Sequence, residues 1–397
     1  MNEKYIINCY GKRCCMEQYA TQKKILFLPF LQIPSGHYQV ANALIEGIQN
    51  DQLHIKCDQV DILSYSYGKV EAFVSSIYLK WIKTLPNLYN KIYKNFVYKN
   101  EEEQKRYRLY EILFVPFMRK LIKEKQPDLI VCTHALPSYI LNYLKEKGEL
   151  KIPVINVYTD YFIHQGWGIT HIDFHFVPSH YMNEFLQNKG IHNEQIFITG
   201  IPIHRKIKKQ KEHIENVPSS TLSVLITGGS LGVGAMEELI DQIGMETSIH
   251  FYVLCGKNKK LYQKIQRLQR EYIIPLPYIT SREEMNKLYD LIDAIITKPG
   301  GVTISESLFK RKPIFIYHVL PGQEEINLQQ LKKLGVIIPL NKVTGKKETL
   351  EEQLCSFFQN KNRFQRYQEC ITNYQQQLMM KEPSQILKEL INNDMAE

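Results

Sequence analysis

The feature that most constrains the fold is an alternation of short apolar runs with longer amphipathic stretches. In the first half of the chain the apolar runs are Lys24–Phe30, Ile55–Leu63, Asp128–Cys132, Val154–Thr159, Phe174–Pro178 and Ile196–Thr199. Runs of this kind are typical of parallel strands that are buried on both faces of a sheet. The stretch Gly36–Ile48 between the first two runs has the apolar spacing of a helix. The first half therefore predicts a doubly wound α/β domain.

A polar segment separates this half from a second half with the same alternation. Residues Arg205–Ser223 are rich in charge and contain a Pro-Ser-Ser turn, which predicts a linker. Beyond it, strands are predicted at Leu222–Ile226, Phe251–Leu254, Ala294–Thr297 and Ile314–Tyr317, and only helical patterns follow Glu348. Ligands of such sheets bind at the carboxyl ends of the strands, so we expect a site in the cleft between two domains.

The predicted domain boundaries follow from these patterns. They are an N-terminal extension over 1–22, a first α/β domain over 23–205, a linker over 206–222, a second α/β domain over 223–375 and a C-terminal helix over 376–397. We expect that last helix to pack back on the first domain.

Composition excludes several classes of protein. Hydrophobic residues make up 44% of the chain and charged residues 23%, which is typical of a globular protein and not of a disordered one. No apolar run approaches the roughly 20 residues of a membrane-spanning helix, and no apolar signal core opens the chain. The eight cysteines form no paired CxxC motifs, so we expect a reducing cytoplasm and no metal site.

The positive charge is concentrated in one segment. The chain has a net charge of +9, and Lys69–Lys125 holds 13 basic against 6 acidic residues. Within it, Val70–Tyr98 mixes basic and aromatic residues at roughly helical spacing, with Trp81 between Lys80 and Lys83. This mixture favours an anionic membrane surface. Two alternatives are a helix pair with its aromatic residues in the core and a site for single-stranded nucleic acid. We take the membrane surface as the prediction and expect no nucleic-acid partner.

The most informative motif is the segment Thr297–Glu306, TKPGGVTISE, which follows a predicted strand and opens a helix. Gly300 and Gly301 let the backbone approach a ligand, and the free amides of the first helical turn favour an anion such as a diphosphate. Glu306, one turn further on, could accept two hydrogen bonds from a ribose diol. The alternative is an ordinary strand-to-helix turn with Glu306 in solvent.

Two further strand-to-helix turns lie in the second half. One contains Gly228, Gly229 and Ser230 and predicts either a phosphate contact or a close packing turn. The other, PGQEEIN, contains Gln323 and Glu324. Their side chains suit sugar hydroxyls, although early acidic residues also stabilise a helix start.

The first half offers a possible base and a carboxylate. His37 follows the first predicted strand, near the start of a helix, where the helix dipole lowers its pKa and favours the neutral imidazole that a general base needs. A histidine that caps a turn is the alternative. Asp160 follows another strand and could orient a histidine or an acceptor hydroxyl, or it could be a helix N-cap.

Six segments carry a resemblance to a known family. They read SGHYQVANAL, VYTDYFIHQGW, FVPSHYMNEFLQNKGI, ITGIPI, ITKPGGVTISES and PGQEEIN, between about Lys24 and Asn341. They resemble the monogalactosyldiacylglycerol-synthase group of family 28 glycosyltransferases, with the bacterial diacylglycerol glucosyltransferases nearest and the lipid II synthases more distant. The resemblance implies the GT-B fold, in which two Rossmann-like domains face a cleft, with the donor bound on the second and the acceptor on the first.

The resemblance also implies site residues. His37 would be the catalytic base and Asp160 a second catalytic residue. The residues expected to bind a UDP-sugar are Gly228, Gly229, Ser230, Tyr278, Ile279, Lys298, Gly300, Gly301, Val302, Thr303, Glu306, Gln323 and Glu324. Among them, Glu306 would bind the ribose and Tyr278 and Ile279 the uracil. No metal ion and no cofactor other than the donor substrate are implied.

The function implied is inverting, metal-independent transfer of a hexose from a UDP-sugar to a lipid hydroxyl, that of diacylglycerol, by a peripheral protein at the inner face of the cell membrane. One departure is the loop before His37, which usually reads GNGH or GGGH in the family and here reads Pro34-Ser35-Gly36-His37. Two rival functions are a nucleotide-sugar epimerase and a non-catalytic UDP-sugar sensor on membranes, and the altered loop is the only support for the sensor. The sequence does not distinguish glucose from galactose, because that choice depends on a few hydroxyl contacts.

Overall fold

The structure is a computed structural model that describes residues 22–30, 36–49, 54–68, 106–210, 221–228, 236–245, 247–320, 322–341 and 348–393. These residues form two six-stranded parallel sheets, one in each half of the chain, with helices packed on them. The predicted class, two doubly wound α/β domains, is confirmed. None of the helices within these ranges is long and apolar enough to cross a bilayer.

The first sheet has the strand order β2-β1-β3-β4-β5-β6. Its strands are β1 (Lys23–Leu28), β2 (Ile55–Gln59), β3 (Leu129–Cys132), β4 (Val154–Val157), β5 (Phe174–Val177) and β6 (Ile196–Ile198). Its helices are α1 (Gly36–Gln49), α2 (Ile62–Tyr67), α3 (Arg108–Lys125), α4 (Ala135–Glu146) and α5 (His180–Asn188), with a short 3₁₀ turn at Asn193–Gln195. The direction of strand addition reverses between β1 and β3, which opens a crevice at their carboxyl ends.

The second sheet has the order β12-β11-β10-β7-β8-β9. Its strands are β7 (Ser223–Thr227), β8 (His250–Leu254), β9 (Ile273–Leu276), β10 (Ala294–Thr297), β11 (Ile314–Ile316) and β12 (Ile338–Pro339). Its helices are α6 (Met236–Asp241), α7 (Lys259–Leu268), α8 (Arg282–Leu291), α9 (Gly301–Phe309), α10 (Gln323–Lys333) and α11 (Leu350–Gln359), followed by α12 (Lys361–Gln377) and α13 (Pro383–Asn393). The order reverses between β7 and β10, and this reversal places a second crevice there.

Two strands of the second sheet were absent from the prediction. The strands β9 and β12 lie at the two edges of the sheet, and each contains a proline, Pro275 and Pro339. Proline has no N–H to donate to a neighbouring strand and is tolerated mainly at sheet edges, so these short runs lack the usual strand pattern.

The first residues of the predicted linker are packed and not solvated. The side chain of Ile207 is 1% exposed. Lys208 N donates to Asn286 Oδ1 at 2.8 Å, and Lys206 forms an ion pair with Glu283, so this stretch lies against α8 of the second domain. Residues 211–220 lie outside the described residues.

The chain returns to the first domain at its C-terminal end. Tyr374 OH at the end of α12 donates to Pro178 O at 2.9 Å, and Met379 N donates to Ile198 O at 2.8 Å. The last helix begins at Pro383 and not near residue 376, because proline fits the first turn of a helix but not its interior. It packs on α1, where a Cβ on Gly47 would lie 2.7 Å from Ser384.

Candidate active site

The strand order of the first sheet brings three loops together at its crevice. Strand β1 pairs with β3, and β3 pairs with β4. The residues that follow these strands therefore meet at one edge of the sheet. They are His37 after β1, Thr133 and His134 after β3, and Thr159 after β4.

His37, the predicted base, is held in one tautomer by its neighbours. Its Nδ1 lies 2.8 Å from Thr133 O and 2.9 Å from Thr159 Oγ1. Because a carbonyl oxygen can only accept, Nδ1 carries the proton in the neutral ring and Nε2 keeps a free lone pair. Burial lowers the pKa of His37, and the charge of Asp160 opposes that shift. Burial, more than the helix dipole invoked from the sequence, thus keeps the imidazole neutral.

Two other histidines lie beside His37. The rings of His37 and His134 meet edge to face with centroids 4.8 Å apart. His134 Nδ1 accepts from Leu136 N at 3.1 Å, and His164 Nδ1 accepts from Gly166 N at 3.1 Å. Burial lowers the pKa of both rings, that of His164 to about 4, so each is neutral near pH 7 and carries its proton on Nε2. The first-domain side of the cleft therefore has one basic nitrogen and two ring donors.

The start of α9 lies opposite the start of α1. A Cβ placed on Gly36 would be 3.4 Å from Val302 Cγ2. Gly300 is the N-cap residue of α9, and a Cβ placed on it would meet nothing within 4 Å. A Cβ on Gly301 would lie 1.9 Å from Thr159 O. Gly301 therefore permits close approach of the other domain, whereas the space beside Gly300 is open to a ligand; Thr303 follows in the same helical turn.

Glu306, the predicted ribose ligand, is buried. Its carboxylate is 7% exposed, Oε2 accepts from Tyr289 OH at 2.8 Å, and Oε1 lies 3.8 Å from Arg282 Nη1. Burial raises the pKa of Glu306, and Arg282 and Tyr289 oppose the shift. The oxygen that a ribose could reach with least rearrangement is Oε1, and the ribose assignment stays a prediction.

The predicted sugar-binding residues Gln323 and Glu324 begin α10 and already have partners. Glu324 pairs with Lys298 Nζ at 3.1 Å and accepts from Leu320 N at 2.7 Å. Gln323 Nε2 donates to Asp160 Oδ2 at 2.5 Å. Lys298 is thereby held at the end of β10, beside the start of α9.

Asp160 reaches across the cleft and caps no helix. Its Oδ1 accepts from Asn327 Nδ2 at 2.8 Å, and its Oδ2 accepts from Gln323. The side chain of the preceding residue, Thr159, is hydrogen bonded to the ring of His37. The N-cap alternative for Asp160 is therefore wrong, since no helix starts there, and its catalytic assignment stays a prediction.

The remaining predicted residues divide into two groups. Gly228 is buried directly after β7, and Tyr278 and Ile279 follow β9, where Lys257 Nζ lies 5.9 Å from the centroid of the Tyr278 ring. The other predicted residues lie outside the described residues. They are Gly229, Ser230, Lys80, Trp81 and Lys83, together with the Pro34–Ser35 loop.

Several residues of the site were missed by sequence reasoning. Thr133 directly follows a predicted strand and Thr159 is the last residue of another, so their place at the edge of the sheet was a usable signal. Asn327 lies one helical turn after Gln323 in the PGQEEIN motif. For Tyr289 the sequence offers no signal, because its role depends on how α8 packs against α9.

Two family descriptions match the chain, one for each domain. The family described as monogalactosyldiacylglycerol (MGDG) synthase matches residues 37–203, which include His37 and Asp160. The family described as glycosyltransferase family 28 C-terminal domain matches residues 223–382, which include the start of α9 and the start of α10.

Individual proteins agree with these matches. The chain is 40% identical over 370 residues to the uncharacterized glycosyltransferase YkoN of Bacillus subtilis (strain 168), covering 93% of this chain and 97% of that one. It is 28% identical over 338 residues to a processive diacylglycerol beta-glucosyltransferase of Bacillus licheniformis, covering 81% and 84%. The chain therefore belongs to the MGDG-synthase group of glycosyltransferase family 28.

A solved structure shares the fold. The crystal structure of MurG from Acinetobacter baumannii superposes with a TM-score of 0.58 at 15% identity, covering 94% of this chain and 99% of that one. Together with the two parallel sheets and the cleft between them, this likeness confirms the GT-B fold.

Proposed function

We propose that the chain is an inverting glycosyltransferase that moves a hexose from a UDP-sugar to the hydroxyl of diacylglycerol without a metal ion. The observation that supports this most is the geometry of His37. Its Nδ1–H points at Thr133 O, 2.8 Å away, so the lone pair of Nε2 is available in the cleft opposite the start of α9.

The proposed reaction is a single displacement. The acceptor O–H bond breaks and its proton passes to His37 Nε2. The oxygen forms a bond to C1 of the hexose while the bond from C1 to the diphosphate breaks, and UDP leaves with that electron pair from the opposite face. The product therefore has the inverted anomeric configuration, and the proton on His37 is released to solvent.

The leaving diphosphate would be stabilised by the first turn of α9. The free amides of Gly301, Val302 and Thr303 and the positive end of the helix dipole suit a diphosphate. Lys298 adds a positive charge beside them once Glu324, its present partner, turns to the sugar. On this proposal Tyr278 and Ile279 bind the uracil, Glu306 binds the ribose through Oε1, and Gly228, Gly229 and Ser230 border the phosphates.

The donor sugar would be bound by the start of α10. Gln323 and Glu324 already hydrogen bond to carboxylate, ammonium and backbone groups. The same atoms can exchange these partners for sugar hydroxyls at little net cost in hydrogen bonds.

The lipid acceptor is supported by the printed names of relatives and by one exposed surface. On α3, Leu109 is 64% exposed and Ile112 73% exposed, and Tyr110 lies beside them at 42%. Arg108 and Lys123 lie on the same helix. Exposed apolar and basic side chains together favour an anionic bilayer surface. We propose that this face and the segment with Lys80, Trp81 and Lys83 bind the inner leaflet of the cell membrane, and that nucleic acid is not a partner.

One experiment tests the reaction. The purified protein is incubated with labelled UDP-glucose or UDP-galactose and vesicles of phosphatidylglycerol with diacylglycerol, with and without EDTA. We expect a glycolipid with inverted anomeric configuration by NMR, unaffected by EDTA. Release of an epimerised sugar nucleotide without glycolipid would favour the epimerase, and binding of UDP-sugar without turnover would favour the sensor.

A second experiment tests the membrane surface. The double variant Leu109→Ser, Ile112→Ser should bind these vesicles about tenfold more weakly in sedimentation, because each loss of buried apolar surface costs membrane affinity. Met380→Ser is the matched control, since Met380 is also an exposed apolar side chain but lies near the other end of the chain. If the native protein, the double variant and Met380→Ser sediment equally with the vesicles, the proposal that α3 binds the membrane is contradicted.

A further inference from the structure

The loop that follows β4 inserts into the second domain. Asp160 Oδ1 accepts from Asn327 Nδ2 at 2.8 Å, and Asp160 Oδ2 accepts from Gln323 Nε2 at 2.5 Å. In the opposite direction, Asn327 Oδ1 accepts from the backbone N–H of Tyr161 at 2.8 Å. Three hydrogen bonds thus join two consecutive positions of the first domain, Asp160 and Tyr161, to one helix of the second domain.

The spacing of Gln323 and Asn327 along α10 explains why both can contact the same loop. Gln323 and Asn327 are four residues apart, so both amides project from the same face of the helix. Asn327 is only 1% exposed. Its Nδ2 and Oδ1 both form hydrogen bonds across the cleft. Breaking a buried and fully satisfied amide contact costs more than breaking an exposed one, because the groups lose their partners without regaining water.

The same loop carries the partner of the base. Thr159 precedes Asp160, and its Oγ1 lies 2.9 Å from His37 Nδ1. Its carbonyl packs on Gly301, and Tyr161 OH lies 2.9 Å from Ser305 Oγ on α9. The position of this loop therefore determines both the contact of Thr159 with His37 and the fit of the first domain against the start of α9.

We propose that Asp160 and Asn327 form an interdomain latch that positions Thr159 against His37 when the cleft is closed. Asp160 is then a positioning residue that acts through the loop, and its carboxylate need not touch the acceptor. Asn327 has an equal share in the latch. This inference rests on the proposed role of His37 as the base.

An exchange of the two side chains separates this latch from a catalytic role of the Asp160 charge. In the Asp160→Asn variant, the new side-chain amide faces the amides of Gln323 and Asn327. In the Asn327→Asp variant, the new carboxylate faces the carboxylate of Asp160. In the double variant, the new amide at position 160 donates to the new carboxylate at position 327 and still accepts from Gln323. The other oxygen at position 327 still accepts from Tyr161 N.

We expect each single variant to lower kcat about 10- to 100-fold and the double variant to recover to within about threefold of the native enzyme, as coupled neighbours do. A double variant as impaired as Asp160→Asn would overturn the latch, because the charge at position 160 would then be needed for itself.

Asn286→Asp is the matched control. Asn286 is also a buried amide that donates to a carboxylate and accepts from a backbone N–H, but these partners are Asp290 on its own helix and Lys208 N of the predicted linker. We expect its kcat to stay within about threefold of native, since no cross-cleft contact is lost. An equal loss in this variant would also overturn the latch.

A readout independent of turnover distinguishes failure of the latch from failure of the proposed function. Small-angle X-ray scattering should give a larger radius of gyration for Asn327→Asp and the native value for the double variant. If these radii hold while the native protein transfers no sugar, the proposed function fails and the closure contact stands. If the native protein transfers sugar but the radii of all variants are equal, the latch fails.

Discussion

The two helices that begin at the switch points of the two sheets have the same place in the topology and different chemistry at their first residues. Helix α1, which follows β1, begins with Gly36 and His37, and Nδ1 of His37 is held by a carbonyl from the neighbouring strand end. The turn after β10 starts α9 with Gly300 and Gly301, which present backbone amides and no side chain. The fold thus supplies two facing helix starts, and on the proposed function the first residues of each helix decide whether it offers a base or an anion site.

The largest effect on turnover is expected when the proposed base, His37, is removed. His37→Ala should lower kcat about 10²–10⁴-fold, in line with the loss of general-base catalysis. The dissociation constant of UDP should stay unchanged, because the start of α9 is intact. The measurements are turnover with saturating acceptor and calorimetry with UDP, and full retention of turnover would refute the base assignment.

The two glycines of α9 should differ in effect. A Cβ on Gly301 would lie 1.9 Å from Thr159 O, whereas a Cβ on Gly300 meets nothing within 4 Å. Gly301→Ala should therefore hold the domains apart and cost about 10²-fold in kcat, as a misplacement of about 1 Å can. Gly300→Ala, whose φ of −90° suits any residue, should cost much less. Equal losses in the two variants would be evidence against the close approach at Gly301.

The ribose assignment can be sharpened at Glu306. Glu306→Gln should weaken UDP binding about tenfold, the scale of a lost charged hydrogen bond. It should also abolish the preference for UDP over 2′-deoxy-UDP. Tyr289→Phe removes only the hydroxyl that bonds Glu306 Oε2 and is the matched control, with the preference for ribose retained. A preference that survives Glu306→Gln would reassign the ribose contact.

The smallest effect concerns pH. Protonated His37 cannot accept a proton, and burial puts its pKa below the ordinary 6.5. The acid limb of kcat/KM should therefore lie below pH 6.5. The charge of Asp160 raises the pKa of His37, so Asp160→Asn should move the limb to still lower pH. Profiles of kcat/KM from pH 5 to 8 measure both, and a limb above 6.5 would contradict the burial of the base.

Much of the fold could be predicted because the central strands are apolar throughout. All four residues of β3 and all four of β10 are buried, and such runs are recognisable in isolation. The edge strands β9 and β12 could not be recognised, since they are short and contain proline. The break before Pro383 was missed because the helical periodicity continues on both sides of it.

For the candidate site, the sequence indicated which residues lie at the edge of the sheet better than it indicated which residues contact each other. His37 and Asp160 were predicted because they follow strands, and the structure places both at the edge where parallel strands end, while their roles stay predictions. The partner of Asp160 could not be found, because Asn327 is 167 residues away and the contact exists only once two domains pack. The burial of Glu306 beside Tyr289 likewise depends on how α8 lies against α9.

The most direct measurement of the central claim is the tautomer of His37 in solution. Nitrogen-15 NMR of the histidine side chains, assigned by comparison with His37→Ala, distinguishes a protonated ring nitrogen from one with a free lone pair. At pH 7 we expect His37 to be neutral, with the proton on Nδ1 and the lone pair on Nε2. A proton on Nε2, or a fully protonated ring, would contradict the role of this histidine as the base.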